Sequence, residues 1–199
     1  MRKRIWVLFG FVIVLGAIAA HYILEPWGFY WKVSEKEAVL RKRYVAQAET
    51  WLGHNEADGS HQQIIDIYNR QDVLPQGYAL QSGDSWCAAF VSAAALEAEL
   101  EIPMECSCQR QISLWQEAGR WVEDDTAIPL PGDLIYYNWD QKRPGENSGW
   151  SDHVGIVVGT KWPFVKTIEG NYDDQVKYRV ILLGDIRIRG YGLPDYSKK

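Results

Sequence analysis

The chain has 199 residues, 47% of them hydrophobic and 24% charged, which suits one globular domain with a sizeable core and excludes wholesale disorder, collagen and coiled coil. The formal net charge is -5, and three of the 21 basic residues, Arg2, Lys3 and Arg4, lie at the extreme amino terminus, so the body is more acidic still. An acidic body lacks the basic surface that general adhesion to nucleic acid needs, and no nucleic-acid partner is expected.

Residues 5–24 (IWVLFGFVIVLGAIAAHYIL) follow that basic start and contain no Asp, Glu, Lys or Arg. The run is long enough to span a bilayer, which takes about 20 apolar residues, and the positive flank orients everything after it outward. Small residues near Ala19 and Ala20 fit a cleaved signal peptide. Trp27, Tyr30 and Trp31 just beyond, placed as an interfacial aromatic belt, fit a retained anchor better. Residues 1–24 are therefore expected to be a signal anchor or signal peptide, 25–33 a juxtamembrane linker and 34–199 one extracytoplasmic domain, with the membrane as a partner through the first segment.

Within the body, Ser34 and Glu37 have capping-box spacing, and Val39, Tyr44, Val45, Ala48 and Trp51 continue at helical steps until Gly53. Ser60 and Gln63 repeat the box ahead of a shorter helix through Ile64, Ile65 and Tyr68. Residues 71–84 show no period. The stretch 85–100 (SWCAAFVSAAALEAEL) is rich in Ala and Ser, which predicts a close-packed helix ended by Pro103, and a further short helix is expected over 109–118. After Pro131 and Gly132 the pattern turns to strands over 133–138, 153–158, 164–170, 176–182 and 186–190, read as a meander. Helices first and strands after predict an α+β fold.

Cys87 falls in the first turn of its helix, with Ser85 as the expected cap, where free N–H groups and the positive end of the macrodipole favour a thiolate. His153 opens a strand, and if the turn Thr160-Lys161-Trp162-Pro163 centres the hairpin near Lys161, Glu169 lies directly opposite it, close enough to hold the imidazole. Asn171 projects from the same face as an alternative orienting group. A one-residue slip would flip the set. Thiol, imidazole and carboxylate or amide are the parts of a Cys-His hydrolase acting on an acyl bond. Trp86, Trp139 and Trp150 are candidate substrate-groove residues. Cys106 and Cys108 lack the partners of a zinc site and read as free thiols or a local disulfide, leaving no metal and no cofactor expected. His54 and His61 read as surface groups, and Gln81 as a candidate side-chain oxyanion donor.

The body also resembles the CHAP domain (cysteine, histidine-dependent amidohydrolase/peptidase) of bacterial cell-wall hydrolases. The resemblance runs from about Trp51 to Tyr196 and is carried by GSHQQIIDIYN at 59–69, SWCAAFVSA at 85–93, ECSCQRQI at 105–112, PGDLIYYNWD at 131–140, SDHVGIVVG at 151–159, IEGN at 168–171 and IRGYGLPDY at 188–196. It implies a papain-like fold in which N-terminal helices pack on an antiparallel sheet, with Cys87 as nucleophile, His153 as general base, and Glu169 and Asn171 as orienting groups. The implied substrate is peptidoglycan, cut at a muramoyl-alanine amide or at a stem or cross-bridge peptide. An NlpC-type peptidase or acyltransferase, or a non-catalytic wall-binding or partner-binding module, are the alternatives.

Overall fold

In the computed structural model the described residues are 33–143 and 149–197. The hydrophobic run at 5–24, residues 25–32 of its flanking linker and residues 198–199 lie outside them. None of the described helices is long and apolar enough to cross a membrane.

Four α-helices precede the sheet: α1 (Glu35–Glu49), α2 (Gln62–Asn69), α3 (Cys87–Glu97) and α4 (Cys108–Glu117). Six strands follow: β1 (Trp121–Val122), β2 (Leu134–Tyr137), β3 (His153–Lys161), β4 (Phe164–Glu169), β5 (Lys177–Leu182) and β6 (Ile188–Gly192). They form one antiparallel sheet in the order β1-β6-β2-β3-β4-β5. The fold is α+β, as the order of sequence periods implies. Strands β2 to β5 do form a meander, but the last strand does not extend it. Strand β6 crosses back to pair with β2, and the two-residue β1, which has no sequence signal of its own, completes that edge.

Caps explain where the helices begin. Ser34 Oγ accepts the Glu37 N–H at 3.2 Å, as capping-box spacing predicts, and Ser107 Oγ caps α4 through the Arg110 N–H. The box at Ser60 fails. That hydroxyl is engaged in its own loop, donating to Asp58 Oδ1 and accepting the Asn55 N–H, so α2 starts at Gln62 without a side-chain cap.

Helix α3 is the centre of the molecule. All nine residues from Cys87 to Ala95 are buried, and the Ala and Ser side chains let α1, α2 and β3 approach it from different sides. The Tyr44 hydroxyl on α1 donates to Val91 O at 2.9 Å, so the one polar group of a wholly buried aromatic ring is satisfied against α3. The main core lies between this helix layer and the sheet face bearing Leu134, Tyr136, Val154, Ile156 and Ile168. A second apolar cluster, with Ile135, Tyr137, Val157, Val165 and Ile181, occupies the opposite sheet face.

Candidate active site

Cys87 is the first residue of α3, and its cap is Trp86, not Ser85. The Trp86 carbonyl accepts the Phe90 N–H at 2.8 Å, while no side chain caps the turn. The N–H groups of the first turn are consequently free of helical acceptors, and the Ala88 N–H is aimed at the Cys87 sulfur. His153, the first residue of β3, faces the same sulfur closely enough to shift its pKa, and its Nε2 lies 3.0 Å from Glu169 Oε2. With Nε2 engaged by the carboxylate, Nδ1 is the ring nitrogen left for the thiol.

The register that achieves this differs from the one expected. The hairpin tip is Trp162-Pro163, with Lys161 paired to Phe164, and a bulge between Val157 and Gly159 shifts the pairing to Ile156 opposite Ile168. One step further sets Glu169 across from Gly155, two residues from the position that direct pairing with His153 needs. A shift of two preserves the face, so His153 and Glu169 still share a side of the sheet and meet diagonally. Gly155 makes the diagonal open, because a Cβ there would lie 2.6 Å from Glu169 Cγ. Gly170, next along, has a similar role toward the helix: a Cβ would lie 2.5 Å from Phe90 Cβ and 2.7 Å from a Trp86 ring carbon. The chain leaving β4 thus presses directly on the start of α3, tying the carboxylate strand to the cysteine helix.

Glu169 is completely buried and held on every side. Oε1 accepts from the Tyr137 hydroxyl at 2.8 Å and the Thr167 hydroxyl at 2.6 Å, and Arg179 Nε lies 3.0 and 2.9 Å from the two oxygens. Burial would raise its carboxyl pKa, but His153, Arg179 and Thr167 outweigh this and hold it below the usual value. Burial likewise works against a charged His153, but its bonds to Cys87 and Glu169 win and push the imidazole up to about 10. The Cys87 thiol is held well below its ordinary range, first by a hydrogen bond from Cys108, then by His153 and the Ala88 N–H, against the opposing effect of burial. Both shifts favour a thiolate beside an imidazolium.

Cys108 is the unforeseen member. It is the first residue of α4, and its Sγ lies 3.5 Å from Cys87 Sγ, both side chains buried. Contact with the Cys87 thiolate, followed by burial, raises its own pKa well above an ordinary thiol's. It is therefore the protonated partner. Cys106 and Cys108 are both free thiols, and no local disulfide joins them.

Other expected site residues divide. Asn171 adopts a left-handed backbone (φ 57°) and lies on the rim of a cleft of about 430 Å³ that also includes His153, Trp139, Tyr172, Arg179 and Arg187. The carboxylate of Glu169, not the Asn171 amide, holds the imidazole Nε2. Trp139 stacks on Tyr137 at 4.8 Å and 10°, with the Arg179 guanidinium 4.8 Å from its ring, so it can offer an aromatic face in that cleft. Trp150 is 70% exposed. Trp86 is wholly buried, its indole N–H bound to Glu56 Oε1 at 2.9 Å, and it has no surface to give a substrate. Gln81 is exposed and donates its amide to Ala79 O. His61, expected on the surface, is buried against Trp86 with ring centroids 5.7 Å apart.

Sequence reasoning missed Arg179, Thr167 and Cys108. Arg179 and Thr167 stand at strand positions whose alternation only the true register reveals. Cys108 carried a signal in the form of Ser107, a capping residue placing a thiol at a second helix start.

A thiol at a helix start, an imidazole at a strand start and a carboxylate at a strand end come together here, the kinds of group that thiol-dependent acyl transfer uses. Residues 77–171 match the family model of the CHAP domain. No curated protein matches the chain. Among solved structures it is similar to the crystal structure of Ly7917, with 12% identity and a TM-score of 0.45 over 78% of this chain and 62% of that one. It is also similar to Ly7917 with the hydrolyzing product of MDP, with 16% identity and a TM-score of 0.39 over 66% of this chain and 62% of that one. The chain thus spans 62% of the length of either solved structure.

Proposed function

We propose that this protein is a cysteine hydrolase of peptidoglycan amides, papain-like in fold, working outside the cytoplasm and tethered to the membrane by residues 5–24. The observation that carries this is the relay from Cys87 through His153 to Glu169 inside a CHAP-family match. In the reaction, the Cys87 thiolate attacks the carbonyl carbon of an amide in a peptide stem, and the negative charge moves to the carbonyl oxygen. The free N–H groups at the start of α3 stabilise that oxyanion. His153, already protonated, gives its proton to the leaving amine, and the C–N bond breaks to leave a thioester. The neutral imidazole then takes a proton from water, whose oxygen attacks the thioester and releases the acid and the thiolate. Glu169 stays ionised throughout and fixes the tautomer and plane of the ring.

The cleft beside His153 suits a substrate with both apolar and polar parts. Trp139 and Tyr172 provide rings, and Arg179 and Arg187, ion-paired with Glu169 and Asp185, share the cleft with the Asp173 carboxylate, so its charged groups are of both signs.

The test is digestion of purified peptidoglycan by the full-length chain, with released muropeptides identified by mass spectrometry. Wild type should release soluble fragments with new amino termini, and Cys87→Ala and His153→Ala should release none. Cleavage by Cys87→Ala at the wild-type rate would reject the function, and an acylated acceptor among the products would identify a transferase instead.

A further inference from the structure

The hydrolytic steps leave one buried nucleophilic group unused. Cys108 touches the nucleophile sulfur to sulfur at 3.5 Å, and the covalent S–S distance is about 2.05 Å, so the two atoms stand in van der Waals contact, short of a bond by about 1.5 Å. Both sulfurs sit on the first residue of a helix, with the N-terminal ends of α3 and α4 converging on them. Two features keep Cys108 in place. The Ser107 hydroxyl caps its helix, and Gln109 Oε1 accepts the Ser151 N–H at 3.1 Å, linking this turn to the loop that leads into His153. The Cys87 thiol is shifted down and the Cys108 thiol up, which favours the ionised and protonated pair that thiol oxidation followed by condensation requires.

We propose that Cys87 and Cys108 form a reversible disulfide that switches the site off, made by a hydroperoxide and undone by a dithiol. The switch rests on Cys87 being the hydrolase nucleophile; the disulfide itself does not. The Cys87 thiolate attacks one oxygen of hydrogen peroxide, so that an S–O bond forms and the O–O bond breaks. The departing hydroxide takes the His153 proton and leaves as water, and Cys87 is now a sulfenic acid. Cys108 sulfur attacks the Cys87 sulfur, the S–O bond breaks, and hydroxide leaves with the Cys108 proton as a second water. The two sulfurs have lost two electrons together, and the peroxide has gained them. A dithiol reverses the change by exchange, ending as its own cyclic disulfide and returning two thiols. Oxidised protein has no thiolate for the carbonyl carbon. Without Cys108, peroxide would carry Cys87 onward to the sulfinic acid, which a dithiol cannot reverse. Cys108 therefore also protects the nucleophile.

The experiment treats full-length chain with hydrogen peroxide, then blocks free thiols, digests the protein and maps peptides by mass spectrometry. Wild type and Cys106→Ser should both lose two hydrogens and yield one cross-linked peptide joining Cys87 to Cys108. In Cys108→Ser, Cys87 should instead gain two oxygens. Peptidoglycan cleavage by wild type should fall at least tenfold with peroxide and return after dithiothreitol, while Cys108→Ser should not recover its own starting rate. Cleavage without the cross-link, with Cys87 as sulfinic acid in wild type, would overturn the proposal and leave the hydrolase standing. The cross-link in a chain that never cleaves would do the reverse.

Discussion

A Cβ at position 155 would lie 2.6 Å from Glu169 Cγ, so the bare backbone at Gly155 is what lets the carboxylate cross to His153 on the same strand. Gly155→Ala should push Glu169 off the imidazole, because the carboxylate is fixed by Tyr137, Thr167 and Arg179 and the Ile168 carbonyl lies 3.3 Å from the new atom. We expect kcat to fall about 100-fold from misplacement of the ring. Overpacking should cost about 1–3 kcal/mol of stability. Steady-state kinetics beside urea denaturation checks this, and an unchanged kcat would mean that the carboxylate does not orient His153.

The imidazole stands at about 10 because Cys87 and Glu169 together overcome its burial. Glu169→Gln removes one of these two supports. The protonated ring is then favoured less, its pKa falls, and the alkaline limb of the pH–rate profile moves toward neutrality, with a loss in kcat of roughly tenfold or more. In the native protein the raised folded pKa contributes stability that is complete below the unfolded value of about 6.5 and is lost as pH rises through about 10. Melting temperature against pH should show that alkaline decline, and it should shrink in Glu169→Gln. A variant whose alkaline limb stays where it is would exclude the carboxylate as a cause of the His153 shift.

An ordinary cysteine alkylates slowly in acid because its thiolate is scarce below about pH 8.5. Cys87 is held well below that range by Cys108, His153 and the Ala88 N–H, whereas Cys108 and Cys106 are both pushed up. Iodoacetamide at mildly acidic pH should therefore label Cys87 selectively among the three thiols. His153→Ala removes one hydrogen bond and the charge facing the sulfur, and should slow that labelling in acid while changing it little in alkali. Equal labelling of all three cysteines at low pH would show that no thiolate is stabilised.

These relationships differ in how far the amino-acid order exposes them. The thiol at a helix start and the histidine at a strand start are local features, and a capping turn or a period change is enough to find them. The pairing of His153 with Glu169 is legible only because the register differs by two, an even number: the displaced hairpin tip shifts the pairing by three, and the bulge at Val158, which has no compositional mark, takes one back. Trp86, expected in the substrate groove, is core, since a residue at a helix cap has no periodic face to betray its burial. Cys87 and Cys108 are separated by 20 residues of α3, loop and cap, and their meeting depends on how two helices pack, which no spacing rule encodes. The return of β6 to β2 is tertiary in the same sense.

Arg41 on α1 lies far from this chemistry in role but ties the helix layer to the sheet. Its Nη1 donates to Asp133 Oδ1 at 2.8 Å and to Pro131 O at 2.9 Å, and its Nε donates to Glu37. The guanidinium stacks 4.3 Å from the Tyr196 ring, whose hydroxyl donates to Gly132 O, and Asp133 Oδ2 accepts the Leu130 N–H at 2.8 Å. The PGD turn at 131–133 is thus a buried knot of charge at the start of β2. Asp133→Ala removes the only acceptor shown for the Leu130 N–H and one of two carboxylates facing a buried cation, which should cost about 3 kcal/mol. Asp133→Asn keeps oxygen and shape but loses the charge, and should fall between the two. Because the knot shares no partner with Cys87, kcat per folded molecule should stay within about twofold. Urea midpoints combined with active-site titration of Cys87 separate the two effects. A stable Asp133→Ala protein with lost kcat would reverse the assignment of this turn from scaffold to site.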